Sequence, residues 1–329
     1  MDATIKSQLC NDIANIIKDY KGLNLDSKHV EKWINQFEDN EQEIVLRGTL
    51  HLFKNLYIQE SIFNQWVSDV YYHLQKCSIS NYSLLEYQIN GESQKELNRK
   101  FIDTNQIINI NINKQSENII YLDDFIFTGN RILNDIEKLL VKNPNFGTQS
   151  SHKIYIITLG WFSYGEYQLN KRLEKLAKNM GRKISFKIAC YKKYKLYNNP
   201  NDFNKADVFT VHQNIPKNIK EYFTERLIGN QHLPIRERNQ SEIAFKGFAY
   251  RDKFEEILIR YGIKILGMCN QSSLKPLGFS SFQPGFGATV FTYRNCPNNA
   301  PLVYWWGSLT ETNTALQWYP LLPRTTYAT

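Results

Sequence analysis

The segment Ile119-Ile120-Tyr121-Leu122-Asp123-Asp124-Phe125-Ile126-Phe127-Thr128-Gly129-Asn130 joins an apolar run to a helical pattern and sets two carboxylates between them. The unbroken run Ile119 to Leu122 fits a central parallel strand buried on both faces. Asp123 and Asp124 then fall at its carboxyl end, where open α/β sheets bind their ligands. From Arg131 to Val141 apolar residues recur at helical spacing, so Thr128-Gly129-Asn130 sits at a helix amino end. Such a loop offers backbone N–H groups, a hydroxyl and the positive end of a helix dipole, which together suit a phosphate monoester. Gly129 admits a positive φ and a close backbone approach. The two carboxylates suit a ribose diol or a hydrated Mg²⁺. A phosphate at one end and a diol at the other describes a ribose 5-phosphate. The bland use of the same residues is to shape and cap a strand-to-helix turn.

Working outward, Tyr82 to Ile89 reads as a strand, and Gly91-Glu92-Ser93 as a turn into a helix through Phe101. Ile108, Ile110 and Ile112 alternate with Asn109, Asn111 and Asn113, a period of two with one apolar face. Lys153 to Leu159 and Ile184 to Tyr191 read as strands, with a helix from Tyr164 to Met180 between them. Strands alternating with helices predict parallel crossovers and an α/β sheet covered on both faces. Before this core, four amphipathic segments predict a helical subdomain over 1–80, with Asp26 or Ser27 capping the second helix. The core is expected over 81–295, with further helices near 216–228 and 250–262. A tail over 296–329, rich in Trp, Tyr and Pro, is expected to pack on it.

Composition closes off other classes. Of 329 residues, 42% are hydrophobic and 14% aromatic, too apolar for a disordered or low-complexity chain. The most apolar stretch, Ile154 to Phe162, is far short of the ~20 residues that span a bilayer. No signal-type apolar segment opens the chain. The five cysteines are dispersed without a C-x-x-C, which reads as reduced thiols and a cytoplasmic location. The six histidines are scattered, and no Gly-x-x-x-x-Gly-Lys, His-Glu-x-x-His or Gly-x-Ser-x-Gly motif occurs.

The net charge of +8 is local. Lys171 to Lys195 carries ten basic residues against the single acid Glu174. Lys183, Lys187, Lys192, Lys193 and Lys195, interleaved near the end with Tyr191, Tyr194 and Tyr197, form a candidate nucleic-acid patch. A lysine-rich edge strand that deters aggregation is the alternative reading.

The pattern of four apolar residues, Asp-Asp, three residues and Thr-Gly resembles the binding loop of the type I phosphoribosyltransferases. Leu277-Gly-Phe-Ser280, Asn295-Cys-Pro-Asn-Asn-Ala-Pro301, Trp305-Trp306 and Pro320-Leu-Leu-Pro-Arg324 resemble the closing segment of the phosphoribosyltransferase-like family of bacterial conflict systems (PRTase-CE). The resemblance implies a type I phosphoribosyltransferase-like parallel sheet with an N-terminal helical subdomain and an aromatic-rich C-terminal segment. It implies a pentosyltransferase-class effector of a retron-type anti-phage system, binding phosphoribosyl pyrophosphate or a nucleotide with Mg²⁺ and acting at the ribose anomeric carbon. It further implies Asp123 and Asp124 as the carboxylates that meet the ribose hydroxyls and the metal, and Phe125 to Arg131 as the 5-phosphate loop (Phe125, Ile126, Phe127, Thr128, Gly129, Asn130, Arg131). Gly91, Ser93 and Arg99 are then the pyrophosphate contacts. A reverse transcriptase and its RNA or DNA are the implied partners, no membrane is involved, and an oligomer is allowed.

Two departures stand out. Arg131 occupies a place where the family loop usually carries Thr or Ser, and Phe127 one that generally holds a small residue. The link from Ile112 to Ile119, about Asn113 to Asn118, is also too short to fold over a substrate as the family's hood does. These features weigh toward the second reading, a non-catalytic phosphoribosyl- or nucleotide-binding module that associates with a reverse transcriptase and its nucleic acid.

Overall fold

Local capping sets the first helices. The Asp2 carboxylate accepts from the Thr4 and Ile5 N–H groups and opens α1 (Ala3–Ile17). Asp26, one of the two expected caps, accepts from the His29 N–H and opens α2 (Ser27–Ile34). Together with α3 (Gln42–Leu56), these helices bury Leu9, Ile13, Ile17, Val30, Trp33, Val45 and Leu52. A two-residue strand β1 (Tyr57–Ile58) and α4 (Glu60–Lys76) follow. The structure, a computed structural model, describes residues 1–79, 81–87, 93–107, 110–113, 116–190, 192–229, 232–269, 271, 273–310 and 313–324.

Contacts divide the chain into two units, Met1–Glu60 with Tyr197–Thr329, and Ser61–Leu196. These boundaries fall elsewhere than the 80 and 295 expected from composition. Nearly all of α4 belongs to the unit that holds the large sheet, and the C-terminal tail shares a unit with the first helices.

In the unit Ser61–Leu196 the order is α4, β2 (Tyr82–Leu84), α5 (Ser93–Thr104), β3 (Asn111–Ile112), β4 (Asn118–Ile126), α6 (Asn130–Lys142), β5 (His152–Phe162), α7 (Ser163–Asn179), β6 (Ile184–Cys190) and β7 (Lys195–Leu196). The strands run β3-β2-β4-β5-β6 with β7 beside β5, and every pairing is parallel. The crossover from β2 through α5 moves one way along the sheet, and those through α6 and α7 move the other. Right-handed connections therefore put α5 on one face and α6 and α7 on the opposite one. The direction reverses between β2 and β4, the topological switch point at which doubly wound sheets form their crevice. Ile119, Tyr121, Ile154 and Ile156 pack with Ile132, Ile136, Leu139, Leu169 and Leu173 in one core beneath α6 and α7. The Tyr71 ring of α4 meets Phe101 of α5, with centroids 6.2 Å apart.

Among the described residues of the alternation through Ile108, Ile110 and Ile112, Asn111 and Ile112 form the short edge strand β3, and Ile112 is 41% exposed. With a strand on one side only, that edge leaves its apolar side chain in solvent. Ile108 and Asn109 lie outside the described residues.

The other unit adds β8 (Val211–His212), α8 (Lys217–Thr224), β9 (Ile235–Arg236), α9 (Arg251–Met268), β10 (Phe291–Thr292) and α10 (Leu302–Trp305). β1 pairs with β10 and β8 with β9, both parallel. The aromatic tail is the partner of the first helices. The indole N–H groups of Trp33 and Trp318 both donate to the Val303 carbonyl, at 2.8 and 2.9 Å. The His29 ring nitrogens meet the Tyr319 hydroxyl and the Leu321 carbonyl, each at 2.8 Å. Trp305, Trp306 and Trp318 are all buried.

Candidate functional site

β4 carries its apolar run inward. Ile119, Ile120, Tyr121 and Leu122 are each at most 2% exposed, as a strand flanked by β2 and β5 requires. Asp123 and Asp124 come next, and successive strand side chains point to opposite faces. Both nevertheless turn to one cation. Arg131, in the first turn of α6, sets Nη2 directly against Asp123 Oδ1 and 3.5 Å from Asp124 Oδ1. Asp123 Oδ1 also accepts from the Asp124 N–H, and Asp124 Oδ1 from the Phe125 N–H, each at 2.9 Å. The side chain of Asp123 is 10% exposed, that of Asp124 24% and that of Arg131 44%, so the ion pair sits at the mouth of the strand end.

Burial pushes the Asp123 carboxyl up to about 7, with Arg131 pulling it down and Asp124 adding to the rise. Arg131 in turn is held above its ordinary value, chiefly by the charge of Asp123. The guanidinium therefore offsets part of the desolvation of that carboxylate, which a Thr or Ser hydroxyl at this place could do only as a neutral hydrogen-bond donor.

The loop beyond is built by close approach. Gly129 has φ +73° and forms the amino-terminal cap of α6, and a Cβ there would come within 2.7 Å of Leu169 on α7. Gly165, in the first turn of α7, lies so near the Phe127 carbonyl that a Cβ would stand 1.8 Å from its oxygen. Phe125 and Ile126 are buried, so they offer the site only backbone. The Phe127 ring, at the place where the family loop generally holds a small residue, packs against Phe125 and Phe162 at centroid distances of 5.3 and 5.7 Å. Thr128 and Asn130 are exposed, and the Asn130 N–H points at Thr128 Oγ1 over 3.5 Å.

Arg172 was not singled out for this site by the sequence. From α7 its Nη1 donates to Asn130 Oδ1 at 2.6 Å, which brings a second exposed guanidinium to the loop. Its place in the run of basic residues is visible in the sequence; the packing of α7 on the loop, which sets its direction, is not. Register also aligns Asp123 with Thr158 and Cys190 across β4, β5 and β6. The Thr158 hydroxyl is fully buried and has no hydrogen-bond partner among the described residues, and burial pushes the Cys190 thiol up to about 12.

Of the expected pyrophosphate contacts, Gly91 lies outside the described residues. Ser93 is the first residue of α5 and half-buried, while Arg99 is exposed further along that helix. In the basic patch, Lys183, Lys187, Lys193 and Lys195 are exposed, and Lys195 lies 4.8 Å from the centroid of the Trp161 ring. The side chain of Lys192 and all of Tyr191 are outside the described residues. Tyr194, read as a surface ring between lysines, is 1% exposed, because the chain turns inward there into β7. Among the described residues no three His, Cys, Asp or Glu side chains cluster as a metal site, and no helix is long and apolar enough to cross a membrane.

A parallel sheet with helices on both faces, reversing beside a strand that ends in Asp-Asp and a Thr-Gly-Asn loop, defines a phosphoribosyltransferase-like α/β protein. A PRTase-CE family profile matches residues 30–324, and the chain belongs to the PRTase-CE family. No curated protein and no solved structure matches the chain.

Proposed function

We propose that the end of β4 and the loop into α6 bind the phosphoribosyl group of phosphoribosyl pyrophosphate or a nucleotide. The observation that supports this most is the placing of two carboxylates and the Thr128-Gly129-Asn130 turn together at the carboxyl end of β4, beside the switch point. In this reading the N–H groups of the turn and the Thr128 hydroxyl take the 5-phosphate, with Arg172 alongside. Asp123 and Asp124 take the ribose hydroxyls, and Ser93 and Arg99, with Gly91, face the pyrophosphate.

Mg²⁺ belongs to the proposal. The hard carboxylate oxygens suit it, and the two Oδ1 atoms already converge on one cationic group, Arg131 Nη2. Asp123 and Asp124 would hold the ion, whose contribution is to neutralise the pyrophosphate. Arg131, nearly half exposed, has room to leave. The protein's own share of transfer at the anomeric carbon is to hold the sugar and its leaving group in line.

In the cell we propose a cytoplasmic effector of a retron-type anti-phage system that works with a reverse transcriptase and its RNA or DNA. The Arg131 ion pair supports a second reading. It supplies the Asp pair with a cation from within the chain, as suits a module that binds the ligand without turning it over.

Isothermal titration with phosphoribosyl pyrophosphate and Mg²⁺ tests the proposal. Wild type is expected to bind, and Asp124→Asn and Thr128→Val each to bind about tenfold or more weakly, which is about 1.4 kcal/mol. No binding by wild type, or equal binding by all three proteins, contradicts it. Binding without pyrophosphate release across a panel of acceptors selects the second reading.

A further inference from the structure

At the amino ends of β5 and β6 the sheet's second face is exposed. On β5, Ile154 and Ile156 point into the core beneath α6 and α7, and on β6 Ile184, Phe186 and Ile188 pack partly against it. The residues between them must point the other way. Lys153, Ser185 and Lys187 are exposed there, and Tyr155 is half-buried. The α5 crossover runs from β2 to β3, away from β5 and β6.

Register fixes the pattern on this open face. Lys153 stands beside Ser185 and Tyr155 beside Lys187, neighbours across a strand spacing of about 4.8 Å. Lys183 precedes β6 with the same parity and is exposed, its Nζ donating to the Gln149 carbonyl at 3.4 Å. Among the described residues the Tyr155 ring meets no other aromatic ring, and its hydroxyl makes no hydrogen bond. Beside these rows Glu117 adjoins Lys153, its carbonyl accepting from the Lys153 N–H, and Asp124, further along β4, is answered by Arg131.

We infer that this face, with Tyr155 at its centre and Lys153, Lys183 and Lys187 around it, is a platform for single-stranded nucleic acid. The occupant follows from charge and shape together. Lysines alone would suit any polyanion. A half-buried ring with no aromatic neighbour among them, on a rigid sheet, matches a chain that alternates phosphates with π-faces, which an acidic protein surface does not. This site was only half legible in the sequence: Lys183 and Lys187 stood out in the basic run, but Tyr155 and Lys153 lie on another strand, and only the register brings them together. The inference stands independently of the phosphoribosyl reading.

Fluorescence anisotropy with a labelled oligothymidylate, in a salt series, tests it on the full chain. Wild-type affinity is expected to fall with a log–log salt slope of about −2, some 0.7 for each of three phosphate contacts. Lys153→Gln with Lys187→Gln is expected to lessen that slope by about 1.4. Tyr155→Ala is expected to cut affinity about 5- to 100-fold without altering the slope, while Tyr155→Phe retains it. Lys175→Gln with Lys178→Gln, on the exposed side of α7, is expected to change little. Urea midpoints equal to wild type confirm that each variant is folded. A flat salt response, wild-type affinity in Tyr155→Ala, an equal loss in the α7 variant, or equal displacement by polyglutamate of matched charge would each overturn the inference.

Discussion

Gly165→Ala is expected to destabilise the Ser61–Leu196 unit by about 3 kcal/mol and to weaken phosphoribosyl binding by at least about tenfold. Helix propensity alone gives the opposite sign, since alanine in place of glycine within a helix stabilises by roughly 0.5–1 kcal/mol. Here the added Cβ would stand 1.8 Å from the Phe127 carbonyl oxygen, a backbone atom that cannot rotate away. Either the first turn of α7 lifts or the Phe127–Thr128 backbone shifts, and both move the loop that faces the ligand. Gly267, in α9, has no atom within 4 Å of its Cβ position and no left-handed φ, so Gly267→Ala serves as the control. It is expected to raise the urea midpoint. Equal stability and equal binding in Gly165→Ala would mean that the close contact of α7 with the loop does not shape the site.

Glu255→Ala is expected to cost about 3–5 kcal/mol, the largest effect of any single change considered. Glu255 is fully buried, and so, at 1% exposure each, are Arg236 and Arg251. Glu255 Oε2 accepts from Arg236 Nη2 at 2.6 Å, and Oε1 from Arg251 Nε at 2.9 Å and from the Thr210 N–H at 3.0 Å. Without this carboxylate two guanidiniums remain in the interior. Arg236 keeps the half-exposed Asp252 and the Thr210 hydroxyl, and Arg251 the Val208 carbonyl, Asn239 and the face of Phe245. Burial already pushes Arg251 down to about 10 against the pull of Glu255. Replacing all three charged residues by Met, Met and Leu is expected to restore much of the loss, since apolar side chains of similar volume remove the desolvation cost. Urea midpoints of the single and triple variants check both statements. A single variant within about 1 kcal/mol of wild type would show that water reaches these charges.

The two networks differ in how far they can be read from sequence. The β4 strand, its Asp-Asp and the Thr-Gly-Asn turn are contiguous, so local periodicity and loop chemistry suffice to find them. The fate of Arg131 is not local in that sense. Its number placed it at the loop, but whether it faces phosphate or folds onto Asp123 depends on the turn that Gly129 makes and on the desolvation of that carboxylate. Arg251 and Glu255 sit at helical spacing and look like an ordinary surface pair. Only the arrival of Arg236 on β9 and of Thr210 makes the cluster an interior one. The tail shows the same limit. Its aromatic richness was plain, but its use, packing on α2 through the bond from Trp33 to Val303, spans nearly the whole chain. Tyr194 failed the reading for a physical reason too: three tyrosines are interleaved with lysines as on a charged surface, yet the turn after β6 carries the middle ring into the core.

The most direct measurement is a crystal structure with ribose 5-phosphate bound. The expected result places the phosphate within hydrogen-bond distance of Thr128 Oγ1 and the N–H groups of Gly129 and Asn130, with the sugar hydroxyls on Asp123 or Asp124 and Arg131 shifted from its present contact. A sugar phosphate bound elsewhere, or a fully soaked crystal in which the Asp123–Arg131 pair is unchanged and the loop stays bare, would contradict it.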